Sequence, residues 1–218
     1  KIACGHFKHG SAQNAEHYCL PSGYGLLDPK RHFVAPASGT SMNGGKNPIQ
    51  DGDLLLLEYT GGKLHIPTIS TAKSVELIKE AKKKKLNITC SVAAHHLVLT
   101  DDELKNFNTN TKVLPPLRTS KDVKALIKGI KEGVIDMVTS DHNPMDVEHK
   151  KVEYSNAKFG TIGLESLFGA LNKAIGLETL IGCLTTKPRE RFKVPTYSIS
   201  EGQQANITLF NPDFEYTF

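Results

Sequence analysis

From residue 63 onward, apolar runs that end on ionisable side chains alternate with amphipathic stretches of helical period. Residues 64–69 predict a strand, and 71–84 predict a helix carrying Val75, Leu77, Ile78 and Ala81 on its apolar positions. Residues 87–93 predict a second strand, 101–104 a helical turn opened by Asp101-Asp102-Glu103, and 111–114 a short third strand ahead of Pro115-Pro116. Val123, Leu126, Ile127 and Ile130 then set the face of a helix over 120–132, with Ser120 as its expected N-cap. Residues 134–140 supply a fourth strand that ends on Asp141-His142, helices are expected over 162–174 and 177–185, and 204–210 reads as a last strand. Parallel strands that each hand the chain to a helix, with polar groups at their C-terminal ends, are the pattern of a β/α barrel. Four such strands make about half of the eight that a closed barrel needs. The expected fold is therefore α/β, a partial TIM barrel with a trailing β segment.

The first sixty residues have a different texture. They are rich in Gly, Pro, Ser and His, and the clearest strands are 31–35 and 53–59, so a small, mainly β segment is expected to precede the barrel portion. The change falls at Gly61-Gly62, which sets the expected domains at 1–60 and 63–198, followed by 199–218.

Bulk composition narrows the function classes. Hydrophobic residues at 39% are enough for a core, and no run approaches the roughly 18 to 20 apolar residues that span a bilayer. No secretory signal is recognised at Lys1, and a first residue other than Met points to a cut or processed chain. A net charge of +4 is too small an excess to imply nucleic acid. The basic run Lys82-Lys83-Lys84-Lys85 suits the C-terminal end of a helix, with a polyanion site as the alternative. Cys4, Cys19, Cys90 and Cys183 are scattered without a CxxC pair, so the reducing cytoplasm is the expected compartment. Cys4 and Cys19 with His6, His9 and His17 match no zinc spacing.

The chemistry lies at the strand ends. His95-His96 follows one strand and Asp141-His142 another, and an imidazole and a carboxylate converging there are sensible ligands for Zn²⁺. Arg118, after Pro115-Pro116-Leu117, has the fork that receives a carboxylate. Each has a plain alternative: a His pair in a hydrogen-bonded loop, or an Asp-His step capping a helix.

Five ordered motifs carry a resemblance. Residues 89–102, centred on Ala94-His95-His96-Leu97, resemble the sixth-strand signature of dihydroorotases and allied cyclic amidohydrolases. Residues 112–118 resemble their seventh-strand PPLR motif, and residues 135–144 their eighth-strand DH-x-P motif. Residues 159–165 resemble the FG-x-x-GLE element that follows. Residues 201–212 resemble the return into a small β domain, to which 199–218 is assigned. The resemblance implies a metal-dependent hydrolase, usually with two zinc ions, that interconverts N-carbamoyl-aspartate and dihydroorotate in pyrimidine biosynthesis. It implies that His95 is a metal ligand and that Asp141 is both a ligand and the catalytic proton shuttle. Arg118 is the candidate for holding a substrate carboxylate.

Several positions depart from that pattern. The family's strand-one H-x-H and its bridging Lys or Asp on strand four have no counterpart. Thr68 occupies the place of the fifth-strand metal His, and His65, an odd number of residues away, is expected to face the other side of the strand. Leu114 and Met145 replace a substrate-contacting Asn and a His. An impaired hydrolase is therefore expected, because a catalytic zinc takes three protein ligands.

Residues 38–57 resemble LexA-type repressors and related S24 peptidases, through Ser41-Met42 and Asp51-Gly52-Asp53 ahead of a Leu run. That resemblance makes Ser41 a nucleophile awaiting a Lys, whereas Lys63 and Lys73 stand in the wrong context and Ser41 also reads as a turn residue. Two rivals to the hydrolase follow. One is a non-catalytic assembly protein whose half-barrel associates with itself, and the other is a Ser/Lys peptidase.

Overall fold

The computed structural model describes residues 61–214. The expected β segment at 1–60, with Ser41, lies outside the described residues, as do 215–218.

Three parallel strands stand in chain order, β1 (Leu64–Ile66), β2 (Ile88–Ala93) and β3 (Met137–Thr139). Leu64 registers with Ile88 across the first pair, and Ser91 with Met137 across the second. Helix α1 (Ala72–Lys83) connects β1 to β2. Between β2 and β3 come α2 (His95–Val98), two 3-10 turns and α3 (Ser120–Lys131). After β3 the chain forms α4 (Val147–Lys150), α5 (Leu167–Ile175), α6 (Leu177–Ile181), a π turn at Gly182–Thr186, and α7 (Lys187–Phe192).

Helices α1 and α3 form because each joins an apolar stripe to a capped start. The Thr71 hydroxyl accepts from Ser74 N at 3.1 Å, and Thr119, rather than the expected Ser120, accepts from Asp122 N. Thr119 wins because its extended backbone (φ −63°, ψ 158°) places it just outside the helix. Two of the four lysines of the basic run, Lys82 and Lys83, close the last turn of α1. Helix α3 ends in a Schellman pair, with Gly133 N donating to Ile130 O and Val134 N to Gly129 O at 3.0 and 2.8 Å. Gly133 adopts the positive φ (73°) that this turn requires.

The stripes meet over the sheet. Ile78, Leu126, Ile130 and Ile135 are fully buried with Val92 of β2, and Leu171 and Leu180 of α5 and α6 complete the same core. Asp136 ties the layers at the start of β3, accepting from Lys82 Nζ at 2.7 Å and from Cys90 N at 2.9 Å. Arg191 of α7 reaches back to Leu64 O at 2.7 Å and to Asn87 Oδ1.

Three expectations are corrected. Residues 111–114 form no strand: a 3-10 turn at Thr109–Thr111 and Pro115-Pro116 occupy that stretch, and β2 pairs directly with β3. Proline has no N–H to give a ladder, so the double proline interrupts pairing. Residues 204–210 also form no strand, because the segment from 194 onward runs exposed with no neighbouring ladder; Leu209 is 96% exposed. Finally, the helix expected over 162–174 starts only at Leu167, since 164–166 form a turn and Gly163 and Leu164 bond to His142 beyond β3.

Candidate active site

Strand β2 delivers the chain to Ala94, whose N–H donates to Thr139 O of β3 at 2.9 Å, and α2 begins at the next residue. That bond extends the β2–β3 ladder to the strand ends, where His95 and Asp141 meet. His95 Nε2 lies 3.7 Å from Asp141 Oδ2. This exceeds hydrogen-bond length.

The two adjacent histidines differ in their bonding. His96 is fully buried and its Nε2 donates to Pro115 O at 3.0 Å, so it packs the double-proline segment against α2. His95 is 7% exposed and neither of its ring nitrogens has a partner. The rings lie 4.4 Å apart. Burial lowers the His95 pKa to about 4, and burial with the neighbouring His95 lowers His96 to about 4 as well. Both are neutral at pH 7, so the His95–Asp141 contact is not an ion pair there. Asp141 has its pKa raised by burial, with His96 opposing. Its backbone is left-handed, φ 47°.

Other expected residues are placed less centrally. Arg118 Nε donates to the buried Ser70 Oγ at 3.2 Å, turning its guanidinium toward the β1–α1 connection. Thr68 also has a positive φ (52°), and its N–H donates to Ser91 Oγ. His65 stands opposite Thr89, well upstream of His95, with its Nδ1 2.9 Å from Thr89 Oγ1 and its ring against Phe192. Leu114 and Met145 are both partly exposed.

The sequence marked residues 159–165 as a motif but did not place them beneath Asp141. Residues 159–164 lie against 140–143, joined by Asn143 N to Thr161 O at 2.9 Å. The glycines of the FG-x-x-G element were the signal, because invariably close backbone approach needs a residue without Cβ. Lys112 and Lys150 brace the same region, each giving its ammonium to main-chain carbonyls: Lys112 to Tyr154 O and Ser155 O, Lys150 to Thr109 O, Lys158 O and Gly160 O.

His95 and Asp141 supply two donors of the kind that zinc takes. Among the described residues no three His, Cys, Asp or Glu side chains converge. A catalytic zinc site is therefore not complete within them.

Polar groups at the C-terminal ends of parallel strands, each followed by helical structure, are the arrangement of part of a β/α barrel, and the solved structures that the chain resembles are amidohydrolases of that fold. The L-hydantoinase of Arthrobacter aurescens superposes with a TM-score of 0.60 at 28% identity, over 65% of this chain and 34% of that one. The dihydroorotase of Saccharomyces cerevisiae, solved with 5-fluoroorotic acid, gives 0.61 at 20% identity over 72% and 48%, a likeness of fold. Over about three quarters of its length the chain resembles dihydroorotases. It is 42% identical over 171 residues to the dihydroorotase of Caldanaerobacter subterraneus subsp. tengcongensis, covering 76% of this chain and 39% of the relative. It is also 42% identical over 167 residues to that of Carboxydothermus hydrogenoformans, covering 73% and 39%. The chain thus spans about two fifths of the length of the curated relatives it matches. No protein-family model matches the chain. None of these likenesses supports the S24-peptidase resemblance of residues 1–60.

Proposed function

We propose that this chain carries the strand-six to strand-eight part of a dihydroorotase-type active site, acting on the cyclic amide of dihydroorotate or closing N-carbamoyl-aspartate. The setting is pyrimidine biosynthesis in the cytoplasm. One observation carries the reading: a buried imidazole, His95, with both nitrogens unpaired, faces a carboxylate across 3.7 Å. An unpaired buried polar group costs about 1–3 kcal/mol, so a fold keeps one where a ligand or ion takes it up.

Zinc, where bound, would lower the pKa of a water and polarise the amide carbonyl. The chain's own residues do the rest. His95, neutral at pH 7, offers a lone pair without first losing a proton. Asp141, with a raised pKa, receives the proton of the attacking water and passes it to the ring nitrogen as the C–N bond opens. Arg118 is the cation assigned to the substrate carboxylate. The further ligands come from polypeptide outside the described residues or from another chain. Weak metal retention and impaired turnover follow for the chain alone. Association of copies through the open sheet belongs to the same proposal.

The test is a zinc titration of the full chain by equilibrium dialysis, with dihydroorotate hydrolysis measured in parallel. His95→Ala and Asp141→Ala are each expected to weaken zinc binding by about tenfold or more. Zinc binding that neither substitution alters would remove the site assignment, whatever the turnover.

A further inference from the structure

His142 follows the proposed working carboxylate, and its ring is engaged by the main chain of residues 163 and 164. Gly163 N donates to His142 Nδ1 at 3.3 Å and Leu164 N donates to the same atom at 3.2 Å. An imidazole nitrogen that accepts from two N–H groups must hold its lone pair toward them, so the ring proton is on Nε2. The backbone alongside is paired too: His142 and Thr161 form a parallel bridge, and Asn143 Nδ2 donates to Phe159 O at 3.4 Å.

The fit is close enough to exclude side chains. A Cβ on Gly163 would lie 2.5 Å from Ser140 O, and one on Gly160 would lie 2.3 Å from Asn143 O. Residues 160–163 therefore press on the chain on both sides of Asp141. Asp141 itself has φ 47°, a conformation that persists where its surroundings over-determine it.

We propose that His142 is the positioning residue of this site, a clamp that fixes residues 160–164 onto the end of β3 through Nδ1 and thereby holds Asp141 in its left-handed conformation beside His95. The inference rests on the reading of Asp141 as the working carboxylate, but the clamp is measured without turnover. In the folded full chain, ¹⁵N shifts of the neutral ring should show His142 protonated on Nε2 and bare on Nδ1. His142→Asn puts an acceptor oxygen near the place of Nδ1, whereas His142→Gln puts one near Nε2. The Asn variant is expected to keep Gly163 and Leu164 amide exchange slow and to keep the left-handed backbone shifts of Asp141. The Gln and Ala variants should exchange those amides roughly tenfold faster or more, the scale of one lost hydrogen bond, and should move the Asp141 shifts.

Protonation of Nδ1 in the wild-type chain would overturn the proposal, and this arm stands even if every variant fails to fold. Unchanged exchange in the Gln and Ala variants would overturn it as well. Lost protection with unmoved Asp141 shifts would also overturn it, by making the clamp a feature of the loop alone. An intact clamp signature in a chain that neither binds zinc nor hydrolyses dihydroorotate would support the positioning of Asp141 and remove the enzyme reading instead.

Discussion

His95 and His96 are neighbours in sequence, but His96 pairs one ring nitrogen and leaves its Nδ1 unpaired, whereas His95 pairs neither. His96 satisfies Pro115 O from inside the core, while His95 is buried with both nitrogens unpaired. In chelator, His95→Leu should therefore leave stability unchanged or raise it by about 1 kcal/mol, because an unsatisfied polar group is replaced by an apolar one. His96→Leu should cost about 1–3 kcal/mol, since it strands the Pro115 carbonyl. Denaturant midpoints of the two variants check this; a large loss for His95→Leu would mean that the ring is held by a partner and is not kept for a ligand. A second residue-scale consequence concerns acid. Burial and the Arg191 charge lower the His65 pKa from 6.5 to about 4. Between those values the unfolded chain takes up a proton that the folded chain refuses, so stability is full above pH 6.5, falls on acidification, and levels off below pH 4. His65→Asn, measured by unfolding across that window, should remove up to about 1.4 kcal/mol per pH unit of slope; an unchanged slope would place the ring in water. Residue type marked the His95-His96 and Asp141-His142 pairs as candidates, and the resemblance to cyclic amidohydrolases singled out His95 and Asp141 within them. Neither could assign His142, whose role depends on two amides some twenty positions away in the chain.

At the scale of elements, the alternation of apolar runs with helical stripes was legible, because α1, α3 and the central strand β2 each carry their own pattern and their own end signals. What was not legible depended on partners. Residues 204–210 look like a strand but have no neighbouring ladder, and 111–114 lose theirs to the proline pair. One side chain links two helices in a way that local pattern does not reveal. Asp122, in the first turn of α3, accepts from Ala72 N at the start of α1 at 2.8 Å, and the Thr119 hydroxyl donates to its other oxygen at 2.7 Å. The carboxylate thus lies at two helix N-termini, where the unpaired N–H groups and the dipoles favour negative charge. Asp122→Ala should destabilise the fold by about 1–3 kcal/mol. Asp122→Asn, which keeps an acceptor and loses the charge, should cost less. Equal losses in thermal unfolding of the two variants would show that the acceptor is worthless without its charge, against the hydrogen-bond argument.

At the scale of the whole molecule the decisive feature is that the sheet is open among the described residues. Among the described residues nothing pairs with the outer edge of β1 or of β3, whereas a closed barrel leaves no edge unpaired. Both edges belong to strands whose flanking side chains, such as Ile66 and Val138, are already buried, so the edges present main-chain N–H and C=O groups more than apolar area. Apolar side chains stand out elsewhere: Ile162 and Leu164, 66% and 63% exposed, lie on the segment beneath Asp141, with Phe107 at 71%. Water contact at such residues is unfavourable by roughly 25 cal/mol per Å² of apolar surface. Edge pairing would add hydrogen bonds to that gain, so the two terms favour the same outcome. A second copy is the partner always present at the chain's own concentration. Sedimentation velocity at micromolar concentration is accordingly expected to show dimers or larger species, and dye that reports exposed apolar surface should bind less as they form. A sharp monomer boundary with no dye binding would mean that the edges are covered within one chain, and the open half-barrel would have to be given up.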